Sequence, residues 1–319
     1  MSGSNDHIDA SQGRYGMASI GDAVQRLQQG DIVAVPTETV YGLAADSTNA
    51  AAVAQIYRTK GRPDFNPLIV HVPDLAAARR LGQFDPLAEK LAREYWPGAL
   101  TLVVLKTDDC PVAPAVTAGL DTIALRCPAH PVMRELLNQS GLNLAAPSAN
   151  ASGGISPTTA AHVQRSLADN APMILDGGPC QDGLESTIIA IRADGFQLLR
   201  PGPIALEALE AFTGLKNKEI QHLKIEAPGQ LASHYAPSKP LRLNARSAAP
   251  DEYHIGFGPV AGQANLSATS DLAEAASNLF AFLHRADSSE QSAIAIAPLP
   301  HDGIGRAIND RLARAAAAS

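Results

Sequence analysis

From Ile20 onward the apolar positions recur with two alternating periods. In SIGDAVQRLQQG they return every three or four residues and stop at Gly30, which predicts an amphipathic helix. The run that follows, DIVAVP, is short and continuously apolar, as a buried strand is. The alternation then repeats. NAAAVAQIYRTKG reads as a helix with Asn49 near its start, PLIVHV as a strand, PLAEKLAREYWPG as a helix, and ALTLVVLK as a strand with Pro97 and Gly98 at the join. TIALRCP, NLAAP, PMILDGG, STIIAIR and FQLLRPG read as short strands, HPVMRELLNQSG and TTAAHVQRSLA as helices, and PIALEALEAFTG as a closing helix. Strands this close together require some antiparallel pairing. The expected fold class is therefore α/β, a twisted mixed parallel/antiparallel sheet flanked by helices.

EAPGQLASHYAPSKP interrupts the pattern with three prolines and no consistent period. Beyond it PLRLNAR, EYHIGFG, DLAEAASNLFAFLHRAD, AIAIAPL and GIGRAINDRLARAAA alternate again. A chain of 319 residues exceeds the roughly 100–200 of one domain. The expected division is a disordered polar tail over 1–16, a catalytic domain over 17–215, a linker or lid over 216–240, and a second, smaller α/β domain over 241–319.

Composition narrows the function classes. The net charge of −7 argues against a surface built to neutralise a nucleic-acid backbone. Cys110, Cys127 and Cys180 form no Cys-x-x-Cys pair, so neither a disulfide framework nor a zinc ribbon is supported, and no protein-held metal is expected. No signal-like or membrane-length apolar run occurs, which makes cytoplasmic residence the expectation. A Walker loop is absent, and the glycines of HIGFGPVAG do not open a helix, so that segment reads as a loop.

Three clusters carry candidate chemistry. In KGRPDFNPLIVHV, Lys60 and Arg62 leave a helix end, Asn66 follows a turn and His71 lies on the next strand. Two cations so placed can meet a polyphosphate while Asn66 reads a base or ribose; equally, they can be a solvated helix C-terminus complementing the macrodipole. In PTETVYGLAAD a strand ends in Thr37, Glu38 and Thr39, whose hydroxyls either face a ligand or satisfy their own turn. In NLAAPSANASGGISPTT, Ser148, Asn150, Ser152 and Ser156 are interleaved with glycines ahead of a helix, a loop able to approach phosphates or simply a capped connection. Arg126 and Arg200 end apolar strands with no acidic residue in their local sequence, so each needs an anionic partner, from the protein or from a ligand. Ser186 and Thr187 begin another strand.

Taken together, PTETVYGL, KGRPDFNPL, Ser148 to Asn150, ESTI, LRPG and the segment PGQLASHYAP resemble the YrdC-like family, in the longer two-domain form found among threonylcarbamoyl-AMP synthases. The resemblance covers residues 20–240; the last 80 or so match in position and composition only. It implies a nucleotidyltransferase that converts L-threonine, bicarbonate and ATP to L-threonylcarbamoyladenylate and pyrophosphate. The product is passed to a tRNA threonylcarbamoyl-transferase complex, which modifies the adenosine beside the anticodon; direct tRNA contact would be weak. It also implies that Thr39, His71, Arg126, Ala146 and Ser186 surround threonine. ATP falls to Lys60, Arg62, Asn66, Thr122, Ser148, Asn150, Ser156 and Arg200, with Tyr235 closing over it.

The physical logic of such a site is consistent. A carbamate falls apart in water, so a closed cavity protects it. Positioning and charge neutralisation by Lys60, Arg62 and Arg200 then carry the transfer, with Mg2+ on the phosphates. His71 would orient or deprotonate the threonine amine, its unperturbed pKa being suitable. Two alternatives are a carbamoyl-transfer maturation factor, which is longer and carries zinc-binding Cys-x-x-Cys repeats, and an RNA-binding module without catalysis, against which the acidic charge counts.

Overall fold

The computed structural model describes residues 19–63, 65–218, 226–229 and 234–317. The expected tail over 1–16 lies outside the described residues, as does part of the expected linker. Helix α1 (Ile20–Gln28) begins at a reciprocal capping box between Ser19 and Asp22, and α2 (Ala50–Lys60) begins where the Asn49 side chain accepts the amides of Ala51 and Ala52. Gly61, at φ 59°, ends α2 in the left-handed conformation that turns the chain toward Arg62.

Nine strands form one sheet: β1 (Val33–Val35), β2 (Gly42–Asp46), β3 (Ile69–His71), β4 (Leu100–Leu105), β5 (Thr122–Arg126), β6 (Leu144–Ala145), β7 (Met173–Ile174), β8 (Thr187–Arg192) and β9 (Gly195–Arg200). Their order is β7-β1-β2-β6-β3-β5-β4-β8-β9. The pairs β1–β7, β3–β5 and β4–β8 are parallel and the others antiparallel, so the sheet is mixed as expected. Four short elements escaped the sequence reading: β2, α3 (Leu75–Arg79), α5 (Pro114–Thr117) and β12 (Ala264–Asn265). All have five residues or fewer, too few for a period to register, and β2 follows directly on a Thr-rich turn.

Alternation along the strands explains where chemistry can sit. Val70, Leu102, Ile123, Leu125 and Ile189 face the main core, into which α2 and α4 (Pro86–Tyr95) also pack. The opposite parity places Ile69, Val103, Ala124 and Ile188 in a small apolar cluster covered by Ala227. Two residues along from members of that cluster, on the same face, come His71, Thr101 and Arg126. Helices α1 and α6 (Pro131–Ser140) fill a third core with Val33, Val35 and Leu144.

The second sheet is entirely parallel: β10 (Leu241–Arg242), β11 (Glu252–Gly256), β12 and β13 (Ala293–Ile296), in the order β10-β13-β11-β12. Its core includes Ile255, Ile294, Leu279 and Phe280 of α9 (Leu272–Asp287), and Ile308 and Leu312 of α10 (Gly305–Ala316). That core does not close on itself. Val40, Ile155, Leu184 and Tyr235 belong to it as well, so burial of the second sheet's apolar face also orders segments that border the first. His284 of α9 stacks on His162 of α7 (Ala160–Leu167) with centroids 3.9 Å apart, and its Nε2 lies 3.1 Å from the Ser156 carbonyl.

Candidate active site

A cavity opens on the sheet face that carries His71 and Arg126, with about 520 Å³ of space between its walls, part of it continuous with solvent. The strand register assembles it. His71 pairs with Arg126 across β3 and β5, Arg126 is one residue beyond Leu125, which pairs with Leu102 of β4, and Ile188 pairs with Arg200 across β8 and β9. Residues more than a hundred positions apart therefore line one cavity, among them Thr39, His71, Arg126, Ser186 and Arg200. Arg62, Ala146, Ser148 and Tyr235 complete the predicted residues that reach it.

On one side stands Arg126. Its Nε donates to the Gly98 carbonyl at 3.1 Å and its Nη1 to Thr39 Oγ1 at 2.9 Å. Nη2 lies 2.7 Å from Glu38 Oε1 in a buried ion pair. The expectation that Arg126 lacks a protein acid is thus corrected: Glu38 is distant in sequence but adjacent in space. Glu38 Oε2 also accepts the Ala129 amide at 3.0 Å. Burial works to raise the Glu38 carboxyl, but Arg126 outweighs it and holds the group below its ordinary value. Thr37 fits both of its readings, since its hydroxyl donates to the Val40 carbonyl at 2.7 Å and closes its own turn while the residue lines the cavity.

The cationic side carries one carboxylate, Glu185, which is ion-paired with Arg311 rather than with either cavity arginine. Arg62 donates to the carbonyls of Asn66 and Pro67 at 3.3 and 3.0 Å. Arg200 donates twice to the Ser186 carbonyl, at 3.1 and 2.9 Å, and to its hydroxyl at 3.1 Å. Neither arginine has an ion-pair partner among the described residues. Burial draws the Arg62 guanidinium down to about 10 and lowers that of Arg200 as well. Neutral carbonyls orient both cations and Glu185 offsets only Arg200, from beyond ion-pair distance, so an anion entering the cavity is favoured.

Five predicted residues do not line the cavity. Lys60 is buried beneath it, its ammonium donating to the Ser148 and Asn150 carbonyls at 2.6 and 2.5 Å. Burial, and then Arg62, push that ammonium well below its ordinary range. The Ser/Gly loop is therefore a cradle for a lysine as well as a cavity wall. Asn150 is fully buried and donates to the carbonyls of Ala151 and Gly154, both at 2.8 Å. Ser156 donates to Glu185 rather than facing the cavity. Asn66 is buried with its Oδ1 unpartnered among the described residues. Thr122 begins β5 while Arg126 ends it, a separation of about 13 Å at ~3.3 Å per residue, so a role for it requires a ligand that extends along the strand.

Tyr235 roofs the cavity from the predicted linker. Its neighbour Ala236 donates to the Gly153 carbonyl at 2.8 Å, tying this segment to the Ser/Gly loop. Tyr235 is 1% exposed at φ 66°, a left-handed conformation that costs a bulky residue on the order of 1–3 kcal/mol and must be held by its surroundings. Gly229 makes room for it. A Cβ there would stand 2.8 Å from the Tyr235 hydroxyl and 2.9 Å from Arg200 Cδ.

His71 is buried with Nδ1 unpartnered among the described residues. Burial, reinforced by Arg126, lowers its pKa to about 3. The imidazole is therefore neutral, and of the two expected roles this fits orienting the amine rather than acting as a base poised near neutrality. His162 and His234 are likewise lowered to about 3 and His284 to about 4, burial being the main cause in each. The unfolded chain takes up these protons near pH 6.5, whereas the native state refuses them until pH 3–4. Their contribution is therefore fully present above pH 6.5 and is lost as pH falls. At roughly 1.4 kcal/mol each by pH 5.5, the melting temperature is expected to drop by about 10 °C between pH 7.5 and 5.5. A flat thermal profile across that interval refutes the neutral-histidine assignment.

Four residues at or around the cavity drew no role from the sequence. Glu38 and Glu185 were visible in PTETV and ESTI as acids amid hydroxyl residues, and His234 adjoins Tyr235. Arg311 left a subtler trace. It shares the i, i+3, i+4, i+7 stripe of Ile308, Leu312 and Ala315, where an arginine is out of place unless it meets an acid.

Comparison with known proteins agrees with this geometry. Residues 25–202 match the Sua5/YciO/YrdC family model, described as "Telomere recombination", and residues 204–317 match that of the "Threonylcarbamoyl-AMP synthase, C-terminal domain". A threonylcarbamoyl-AMP synthase of Bacillus subtilis is 39% identical over 93% of this chain and 92% of that protein. One from Schizosaccharomyces pombe is 38% identical over 70% of this chain and 62% of its own. The crystal structure of Pyrococcus abyssi Sua5 complexed with L-threonine superposes with a TM-score of 0.83 at 34% identity, covering 93% of this chain and 94% of that one. With one family model spanning more than half its length and a relative aligned over nearly all of it, the chain belongs to the Sua5/YciO/YrdC family, among the threonylcarbamoyl-AMP synthases.

Proposed function

We propose that the chain condenses L-threonine, bicarbonate and ATP into L-threonylcarbamoyladenylate and pyrophosphate. One observation carries this reading: a single cavity sets Arg126, held by Thr39 and Glu38, opposite two buried arginines that have no ion-pair partner among the described residues. The first arrangement suits an amino-acid carboxylate, the second a polyphosphate.

The amine of threonine combines with bicarbonate to give a carbamate and water. A carbamate oxygen then forms a bond to the α-phosphorus of ATP as the bond to the β-phosphate bridging oxygen breaks, and pyrophosphate leaves. Arg126 and Thr39 fix the amino acid, and neutral His71 accepts a hydrogen bond from its amine. Arg62 and Arg200 offset charge on the phosphates; Lys60 holds the Ser/Gly loop in place with two of its three donors and keeps one in reserve. Magnesium arrives with the nucleotide as part of the substrate. Tyr235 and the segment around it exclude water from the carbamate.

We assign the catalytic domain to 17–215, the linker or lid to 216–240 and the second domain to 241–319. Among the described residues no helix is long and apolar enough to cross a membrane. The reading places the enzyme in the cytoplasm, handing its product to a tRNA threonylcarbamoyl-transferase complex with only weak direct tRNA contact. The test is pyrophosphate release from ATP with threonine and bicarbonate omitted in turn. Dependence on both supports the reaction, and ATP turnover indifferent to threonine rejects it.

A further inference from the structure

We propose that Arg311, on helix α10 of the second domain, is a positioning residue for the adenylating half of the cavity. This inference rests on the reaction proposed above. The Arg311 side chain is fully buried, with Nε 2.8 Å from Glu185 Oε2, Nη2 donating to the Pro201 carbonyl at 2.9 Å, and Nη1 2.7 Å from Asp310 Oδ2. Its guanidinium lies over the Tyr235 ring, 5.1 Å from the centroid.

Each contact outside its own helix touches the cavity wall. Glu185 precedes Ser186, Pro201 follows Arg200, and Tyr235 is the roof itself. Because Ser186 holds the Arg200 guanidinium through its carbonyl and hydroxyl, the contacts close a ring: Glu185 is bonded to Ser186, Ser186 accepts from Arg200, Arg200 is bonded to Pro201, and Pro201 accepts from Arg311, which returns to Glu185. The other Glu185 oxygen accepts from Ser156, so the ring also anchors the Ser/Gly loop. Asp310 accepts from Arg314 at 3.0 Å, and the Arg314 carbonyl accepts the His234 amide at 3.3 Å, so the same helix turn also holds the roof at its backbone.

Stability alone does not account for this arrangement. A buried ion pair is typically no more stabilising than an apolar pair of similar volume, and a lysine would neutralise Glu185 equally well. What the planar fork adds is three directions fixed at once, a geometry that lysine cannot reproduce. Arg306 supplies the contrast. It also crosses between the two regions, to Glu207 at 3.0 Å, but both side chains are half-exposed and neither borders the cavity.

The experiment uses the full chain and four proteins: wild type, Arg311→Lys, Arg311→Met and Arg306→Ala. Threonine binding by calorimetry without nucleotide reports on the fold and on the Arg126 side, and pyrophosphate release gives kcat and the KM for ATP. Wild type that does not need threonine and bicarbonate defeats the proposed reaction, whatever Arg311 does. Given that dependence, both Arg311 variants are expected to bind threonine within about threefold of wild type while kcat/KM for ATP falls about 10- to 100-fold, with Arg306→Ala unchanged. If Arg311→Met does not fold, Arg311→Lys decides alone. Lysine restoring kcat/KM to within about threefold would reduce Arg311 to a counter-charge, and threonine binding falling in step with rate would make its role merely structural. Either result overturns the inference.

Discussion

Arg126→Ala is expected to lower kcat/KM for threonine by roughly two to three orders of magnitude and, separately, to destabilise the ligand-free protein by about 3–5 kcal/mol. Both effects follow from the same guanidinium. The first removes the partner of the threonine carboxylate. The second strands Glu38, which is 8% exposed and whose Arg126 contact offsets the cost of its burial. The two effects can be separated. Adding Glu38→Gln to Arg126→Ala removes the stranded charge, so the double variant should regain most of the melting temperature and none of the threonine dependence. If the double variant regains activity, or if the single variant binds threonine normally by calorimetry, Arg126 is only a structural ion-pair partner.

Arg62→Met should behave in the opposite sense on stability. Its guanidinium is buried against carbonyls with no counter-ion among the described residues, and burial has already drawn it down to about 10. Replacing an uncompensated buried cation by an apolar side chain of similar length is expected to leave the melting temperature of the ligand-free protein unchanged or to raise it by a few degrees. The rise in melting temperature that ATP confers on wild type should largely vanish, and kcat/KM for ATP should fall about 100-fold. A variant destabilised without ligand yet stabilised normally by ATP would contradict the assignment. Stability given up in the empty site would then not be what the nucleotide recovers.

These expectations show how unevenly the site can be read from the chain. Arg126, His71 and Arg200 stand out because each is a polar residue ending an apolar strand, and a short strand has only two faces on which to put it. Lys60 and Arg62 were legible as a pair at a helix end but not in their division of labour: one lines the cavity while the other supports its wall. Thr122 and Ser156 carry the same kind of signal, yet one sits at the far end of its strand and the other is turned toward Glu185.

What the sequence determined by itself was whatever depends on near neighbours. Periodicity, caps and breakers located most helices and strands, and the crowding of strands implied a mixed sheet, because hydrophobic spacing and capping act within a few residues. Only the tertiary structure decided which strands lie side by side, that Glu38 answers Arg126, and that Arg311 reaches Glu185 from 126 residues away. Such pairings are set by strand register and by burial of a core shared between the two sheets, and those are properties of surfaces that exist only once the chain has folded. The same holds for the histidines. An imidazole's ordinary pKa belongs to the residue, but its displacement to about 3 at His71 belongs to the desolvated cavity around it.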